Sequence, residues 1–236
     1  MPLALLLALA GAAFAAPQKI TFKTSDGWTL SSLYRAPRRG AMVMVLAHGV
    51  ASSKGEWDRF AERLASKGIG SLAVDLRGHS ESTKGPNGER TFKDFDETGE
   101  WVKAVEDLQA AAAWLEKRGI KSSRIAVGGA SIGANLASQA AAKRPDTPCL
   151  LLLSPGPDYR GVRLIPGRGL KTLAVASPPD GYAYQTLEPF KKAKAAEILV
   201  APGGHGVQML DDEKTLARIL DWTAGALTSG RKTGAR

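Results

Sequence analysis

The sequence predicts an α/β fold: a mostly parallel central sheet of about eight strands with helices on both faces. Short runs of β-branched and aliphatic residues recur along the chain and read as continuously apolar, the pattern of strands buried on both sides. Segments with a 3.6-residue apolar period separate them. Strands that alternate with helices imply right-handed crossovers, hence a mainly parallel sheet between two helical layers.

Taken in order, residues 1–16 are almost wholly Ala and Leu, and Ala13-Phe14-Ala15 has the small-x-small form of a signal-peptidase site. A cleaved secretory signal is expected there, with the mature protein secreted or periplasmic. The apolar run falls short of the about 20 residues a spanning helix needs, so no stable membrane anchor is expected. Residues 19–23 and 29–34 are strand-like around the turn-forming Ser25-Asp26-Gly27, a hairpin signal. Residues 42–47 form a buried strand that stops at His48-Gly49, residues 55–67 a helix closed by Gly68, and residues 71–76 the next strand. A long helix is expected over 100–118, then a strand at 124–127, a helix at 134–142 and a strand at 149–153. Further strands follow at 172–176 and 197–200, with a short helix around 187–195 between them, and a last helix spans about 209–226. One domain over 17–228 is expected, ending in a flexible basic tail, 229–236. Only residues 156–171 are left between the loop after the strand at 149–153 and the strand at 172–176.

The 32 Lys and Arg residues outnumber the 23 Asp and Glu, giving a net charge of +9. The charges are scattered and the only dense basic group is the tail, so no nucleic-acid partner is expected. Cys149, the single cysteine, opens an apolar run and reads as a core residue. The three histidines, His48, His79 and His205, have no metal-ligand spacing.

Gly129-Ala130-Ser131-Ile132-Gly133 fits G-x-S-x-G, and its setting is the informative part. It follows a strand and opens a helix, where the glycines allow a sharp turn with the serine at its tip. A serine hydroxyl needs a base within hydrogen-bond reach, and in chains built on such an elbow the acid and then the histidine follow the serine. His205, in Pro202-Gly203-Gly204-His205-Gly206 directly after a strand, is the one histidine downstream. Asp180, in Ser177-Pro178-Pro179-Asp180-Gly181, is the favoured acid, with Asp158 as competitor; Asp211 and Asp212 read as helix N-terminal charges. After His48-Gly49 the amide of Val50, with that of Ile132, would form an oxyanion hole. His48 reads as structural. Asp75-Leu76-Arg77-Gly78-His79-Ser80 reads as a hydrogen-bonded turn beside the pocket.

With these motifs in hand, the chain after its first residues resembles the α/β-hydrolase superfamily, particularly small esterase and lysophospholipase-like members. The resemblance rests on the HG turn, the DLRGHS segment, GASIG, the post-strand Asp180 and the GGHG loop. It implies the α/β-hydrolase fold, Ser131, Asp180 and His205 as catalytic triad, Val50 and Ile132 as oxyanion donors, and a serine hydrolase of carboxylic esters that needs no cofactor. Many members carry a large helical cap after the sixth strand, for which only residues 156–171 are available here, so no large cap and an open site are expected. The expected partner is a small-molecule or lipid-like ester. Dienelactone hydrolases are similar in size but use a cysteine nucleophile, which Ser131 contradicts. Acyl transfer or peptide hydrolysis on the same triad, and a non-catalytic binding protein of the same fold, are the alternatives.

Overall fold

The computed structural model describes residues 16–95, 99–167 and 169–229. Apart from Ala16 and Ser229, the expected signal segment and basic tail lie outside the described residues. Among these residues no helix is long and apolar enough to cross a membrane.

The chain enters through the hairpin β1 (Gln18–Lys23) and β2 (Thr29–Arg35), turned at Gly27 with φ +96°. Next come β3 (Val43–Ala47), α1 (Asp58–Ser66), β4 (Gly70–Val74) and the two-residue strands β5 (Lys84–Gly85) and β6 (Gly88–Glu89). Helices α2 (Glu100–Lys103) and α3 (Val105–Glu116) lead to β7 (Ile125–Ala130), α4 (Ile132–Ala142) and β8 (Leu150–Leu153). A small hairpin of β9 (Asp158–Tyr159) and β10 (Val162–Arg163) precedes β11 (Thr172–Ala176), α5 (Gly181–Lys192), β12 (Glu197–Val200) and α6 (Glu213–Ser229).

The sheet runs in the order β12-β11-β8-β7-β3-β4-β2-β5-β6, with β1 against β2. The six strands from β12 to β4 are parallel, and β2 joins them antiparallel. Setting aside the two-residue strands β5 and β6, eight strands remain, the number expected, in the α/β-hydrolase fold. The period of two along each strand sorts the core into two layers. Val43, Val45, Ile125, Val127, Leu150 and Leu152 pack with α3, α4 and α5 on one face. Met44, Leu46, Ala126, Leu151 and Leu153 pack with α1 and α6 on the other. Cys149 is buried in the second layer, and burial pushes its thiol up to about 12.

The order of the sheet places the functional edge. From β3 the chain moves to β4 and then returns to β7 on the other side of β3, so the switch point lies between β3 and β7. Ligand crevices of open parallel sheets form there, outside the strands' carboxyl ends. The residues that follow β3, β7, β11 and β12 are therefore gathered at one edge.

Several elements differ from expectation. Helix α4 begins at Ile132, directly behind the serine, rather than near Ala134. Helix α5 begins at Gly181, six residues before the expected start, where the Tyr184 amide donates to the Asp180 carbonyl at 2.8 Å. Its exposed aromatics, Tyr182 and Tyr184, mask the buried stripe of Ala183, Thr186, Leu187 and Phe190. The expected 100–118 helix is broken at Ala104, and the last helix is divided into a 3-10 turn and α6, with the Asp212 carboxylate accepting the Thr215 amide at 2.8 Å. Among the described residues the segment between β8 and β11 holds no more regular structure than the β9–β10 hairpin, and no large cap is formed there.

Candidate active site

Ser131 sits between β7 and α4 with φ 56° and ψ −125°, a conformation that costs a non-glycine residue about 1–3 kcal/mol. The surrounding glycines make it possible. A Cβ on Gly129 would lie 2.1 Å from the Gly133 carbonyl oxygen, and one on Gly133 would lie 2.4 Å from the Ala47 oxygen and 2.5 Å from that of His48. The start of α4 is thereby pressed against the end of β3. The Ser131 amide donates to Leu153 at 2.9 Å, which ties the elbow to β8.

The turn after β3 comes equally close, since a Cβ on Gly49 would lie 3.4 Å from that of Ser131. The N–H of Ile132, at the first position of α4, has no partner within its helix. Among the described residues no acceptor is recorded for it or for the Val50 N–H. Two unengaged donors thus lie on the two segments that meet at Ser131.

His205 belongs to the loop after β12. Its Nδ1 lies 2.7 Å from Asp180 Oδ2. A carboxylate only accepts, so Nδ1 carries a proton, which leaves Nε2 as the acceptor of the neutral ring. Two serines at strand ends anchor the loop: the Ser177 hydroxyl donates to the Gly204 carbonyl at 2.6 Å, and the Ser154 hydroxyl accepts the Gly206 amide at 2.8 Å. Gly206, with φ +58°, passes so near the elbow that a Cβ on it would lie 3.2 Å from that of Ala130. Asp158 is not brought to His205. Its carboxylate accepts the Gly161 amide at 2.7 Å and pairs loosely with Arg163 at 3.6 Å.

Among the described residues no hydrogen bond joins Ser131 to His205; the Ser131 hydroxyl lies beside the phenol of Tyr159. Nucleophile-to-base contacts are often long before substrate binds. The Tyr159 phenol donates to the Ser154 carbonyl at 3.1 Å, and burial, with the nearby Asp180 charge, raises its pKa so that it stays protonated. The hairpin that carries Tyr159 is clamped from α4. Buried Asn135, one turn beyond Ser131, donates to the Gly156 and Val162 carbonyls at 2.9 and 2.8 Å.

Behind the site lie buried braces. His48 donates from Nδ1 to the Gly49 carbonyl at 2.7 Å and accepts the Leu76 amide at Nε2, 3.0 Å away. Desolvation, and secondarily His79, lowers its pKa to about 4, so it is neutral. Arg77 is buried and bonded to Asp107, Asp26 and Glu100, while His79 stacks on Phe92 with centroids 4.4 Å apart. Neither side chain is open to a substrate. Lys54 joins Asp75 and Glu81, and the Lys54 amide donates to Asp75 at 2.7 Å. Glu56 holds the turn after β3: it accepts the Gly49 amide at 3.2 Å and the Ser52 hydroxyl.

Sequence reasoning missed Ser154, Ser177, Asn135, Tyr159 and Glu56. Ser154 and Ser177 each stand at the carboxyl end of a parallel strand and before a proline, a signal that could have flagged them. The other three act across the fold and left no local pattern. Among the described residues no group of His, Cys, Asp and Glu could hold a metal ion.

Residues 38–178 match the family described as serine aminopeptidase, S33. No curated protein matches the chain. Solved structures do. A predicted CIB-like hydrolase from Thermoplasma acidophilum superposes with a TM-score of 0.69 at 17% identity, covering 89% of this chain and 99% of that one. An esterase from Pyrococcus furiosus gives 0.67 at 21%, covering 91% and 92%. A dienelactone hydrolase from Anabaena variabilis gives 0.64 at 18%, covering 90% and 98%.

Proposed function

Since the chain belongs to the S33 serine aminopeptidase family of α/β hydrolases, we propose that it is a serine hydrolase that cleaves carboxylic esters through an acyl-enzyme. The observation that carries this reading is the His205–Asp180 bond of 2.7 Å, on a loop packed against the strained elbow of Ser131.

Rotation of the Ser131 side chain brings Oγ to the free Nε2 of His205. Oγ attacks the ester carbonyl carbon as Nε2 takes its proton, and the carbonyl oxygen becomes an oxyanion held by the Val50 and Ile132 amides. Asp180 accepts from Nδ1 and stabilises the imidazolium. The bond to the alkoxy oxygen then breaks, and the departing alkoxide takes the Nε2 proton and leaves as the alcohol. Water repeats the sequence on the acyl-enzyme: it gives one proton to His205, its oxygen joins the acyl carbon, and Ser131 recovers the proton as the acid departs. Each of the two open amides contributes on the scale of about 3 kcal/mol to such a transition state.

The Pyrococcus furiosus esterase favours an ester, and alkoxide is a better leaving group than amine. The family description favours a second reading, hydrolysis of an amino-terminal peptide bond on the same residues. On the first reading the substrate is a small-molecule or lipid-like ester reached from an open site, and the signal-like first residues support export. A fluorophosphonate probe should label the wild type and not Ser131→Ala. Aryl esters of increasing acyl length should turn over faster than amino-acid arylamides; the reverse order would install the peptidase reading, and an unlabelled wild type would remove both.

A further inference from the structure

Three carboxylates of the interior and its margin have a Lys or Arg: Asp75 has Lys54, and Asp107 and Asp26 have Arg77. Glu56 has no such partner, and neither does Asp180, which is bonded to His205. Among the described residues no Lys or Arg pairs with Glu56, and the two cations nearest in sequence are engaged elsewhere, Lys54 with Asp75 and Glu81 and Arg59 with Asp211 and Glu213. Yet Glu56 is half-buried, and each of its oxygens is held, one by the Gly49 amide and the other by the Ser52 hydroxyl. Taking a carboxylate out of water without a counter-ion is costly, and such a group beside a catalytic cleft is a functional candidate. Burial, foremost, pushes its carboxyl above the usual range, against the pull of Ser52, Gly49 and the charge of His205.

Those tethers fall on the turn that matters. The turn from Gly49 to Ser52 is closed by the Ser52 amide donating to the Gly49 carbonyl at 3.3 Å, with Ala51 at φ 59°. Val50, between the two groups that Glu56 holds, carries one of the two open amides. Asp180, from the loop after β11, is bonded to His205, and the charge of His205 also reaches Glu56, on the turn after β3.

We propose that Glu56 is a positioning residue of this site, whose carboxylate fixes the Val50 turn and serves, with Asp180, as a second anion for the imidazolium that His205 becomes during acyl transfer. The inference rests on the serine-hydrolase reading. It explains the missing cation: the counter-ion of Glu56 forms during the reaction, at the moment when His205 holds the proton of Ser131.

The test is Glu56→Gln, which keeps the size of the side chain, still accepts from Gly49 and can donate to the Ser52 oxygen, but carries no charge. The kcat on an aryl ester should fall about three- to tenfold with KM within about twofold, the scale of one charge several ångströms away in a partly solvated site. The acid limb of the kcat/KM profile should move to lower pH by roughly 0.3–1 unit, because the protonated histidine has lost an anion. A wild-type kcat, or a reduced kcat with an unmoved acid limb, would overturn the proposal. Should Glu56→Gln fail to fold, Glu56→Asp decides: its shorter arm withdraws from Gly49 but keeps the charge, so kcat should fall while the limb stays, and a displaced limb or an unchanged kcat overturns the idea. Failure of the underlying reading looks different, since Ser131→Ala would then retain turnover.

Discussion

Gly133→Ala tests the closeness on which the site depends. In the interior of a helix this exchange ordinarily stabilises by about 1 kcal/mol, because alanine loses less chain entropy. Here the added methyl would stand 2.4 Å from the Ala47 oxygen and 2.5 Å from the His48 oxygen, both backbone atoms that no rotamer change can move. Real Cβ atoms essentially never come within 3.0 Å and ordinary contact begins near 3.4 Å, so α4 must retreat from the end of β3 by at least about 0.6 Å. Overpacking of this kind costs about 1–3 kcal/mol, which outweighs the propensity gain. The net loss should lower Tm by a few degrees, at about 2–4 °C per kcal/mol for a chain of this length. The functional loss should be larger. The Ile132 amide rides on the first turn of α4 and the Val50 amide on the turn after β3, so the displacement pulls the two donors apart. A 1 Å misplacement can cost about 10²-fold in rate. Turnover of an aryl ester should therefore fall at least tenfold in a protein that still unfolds cooperatively. A Gly133→Ala enzyme with raised Tm and wild-type kcat would refute the packing argument and the oxyanion assignment with it.

Other outcomes follow from the same geometry. Asp180→Asn should lower kcat by about 10⁴, the scale of losing the acid that orients a catalytic histidine, whereas Asp158→Asn should leave kcat within a few-fold; steady-state kinetics of both variants would expose a reversed assignment. Ser131→Ala and His205→Ala should each remove nearly all turnover, and their double mutant should be scarcely worse than either, since the pair acts as one unit; additive losses would separate them. Burial holds the folded-state pKa of His48 near 4, below the about 6.5 of an unfolded histidine. Protons therefore favour the unfolded chain, and the contribution of neutral His48 is full above about pH 6.5 and declines as pH falls toward 4. His48→Gln, which keeps a donor and an acceptor, should show a shallower decline of Tm over that window; an equal slope would remove His48 as the cause.

What was legible in the sequence was whatever is encoded locally. Continuous apolar runs located the parallel strands because both faces of the sheet are covered. G-x-S-x-G located Ser131 because the turn itself demands glycines at 129 and 133. His205 emerged by elimination and Asp180 by its position after a strand. Helix α5 was misplaced because exposed Tyr182 and Tyr184 blurred its apolar period. Asn135, Tyr159 and Glu56 were invisible for a different reason. Each works on a group brought to it by the fold: Asn135 on the carbonyls of Gly156 and Val162, Tyr159 on that of Ser154, and Glu56 on a turn that closes only once β3 is in the sheet. A carboxylate in a polar stretch such as Lys54-Gly55-Glu56 reads as solvated surface. Only its folded neighbours show that it is half-buried, tethered at both oxygens and, among the described residues, lacking a Lys or Arg partner. The proposed nucleophile, acid and base were thus readable from motif and order, while the residues that set their geometry belong to the sheet's carboxyl edge as a whole. Two variants separate these levels, because Ser131→Ala should abolish turnover and leave the acid limb with nothing to report, whereas Glu56→Gln should keep a reduced turnover, about three- to tenfold down, and move that limb.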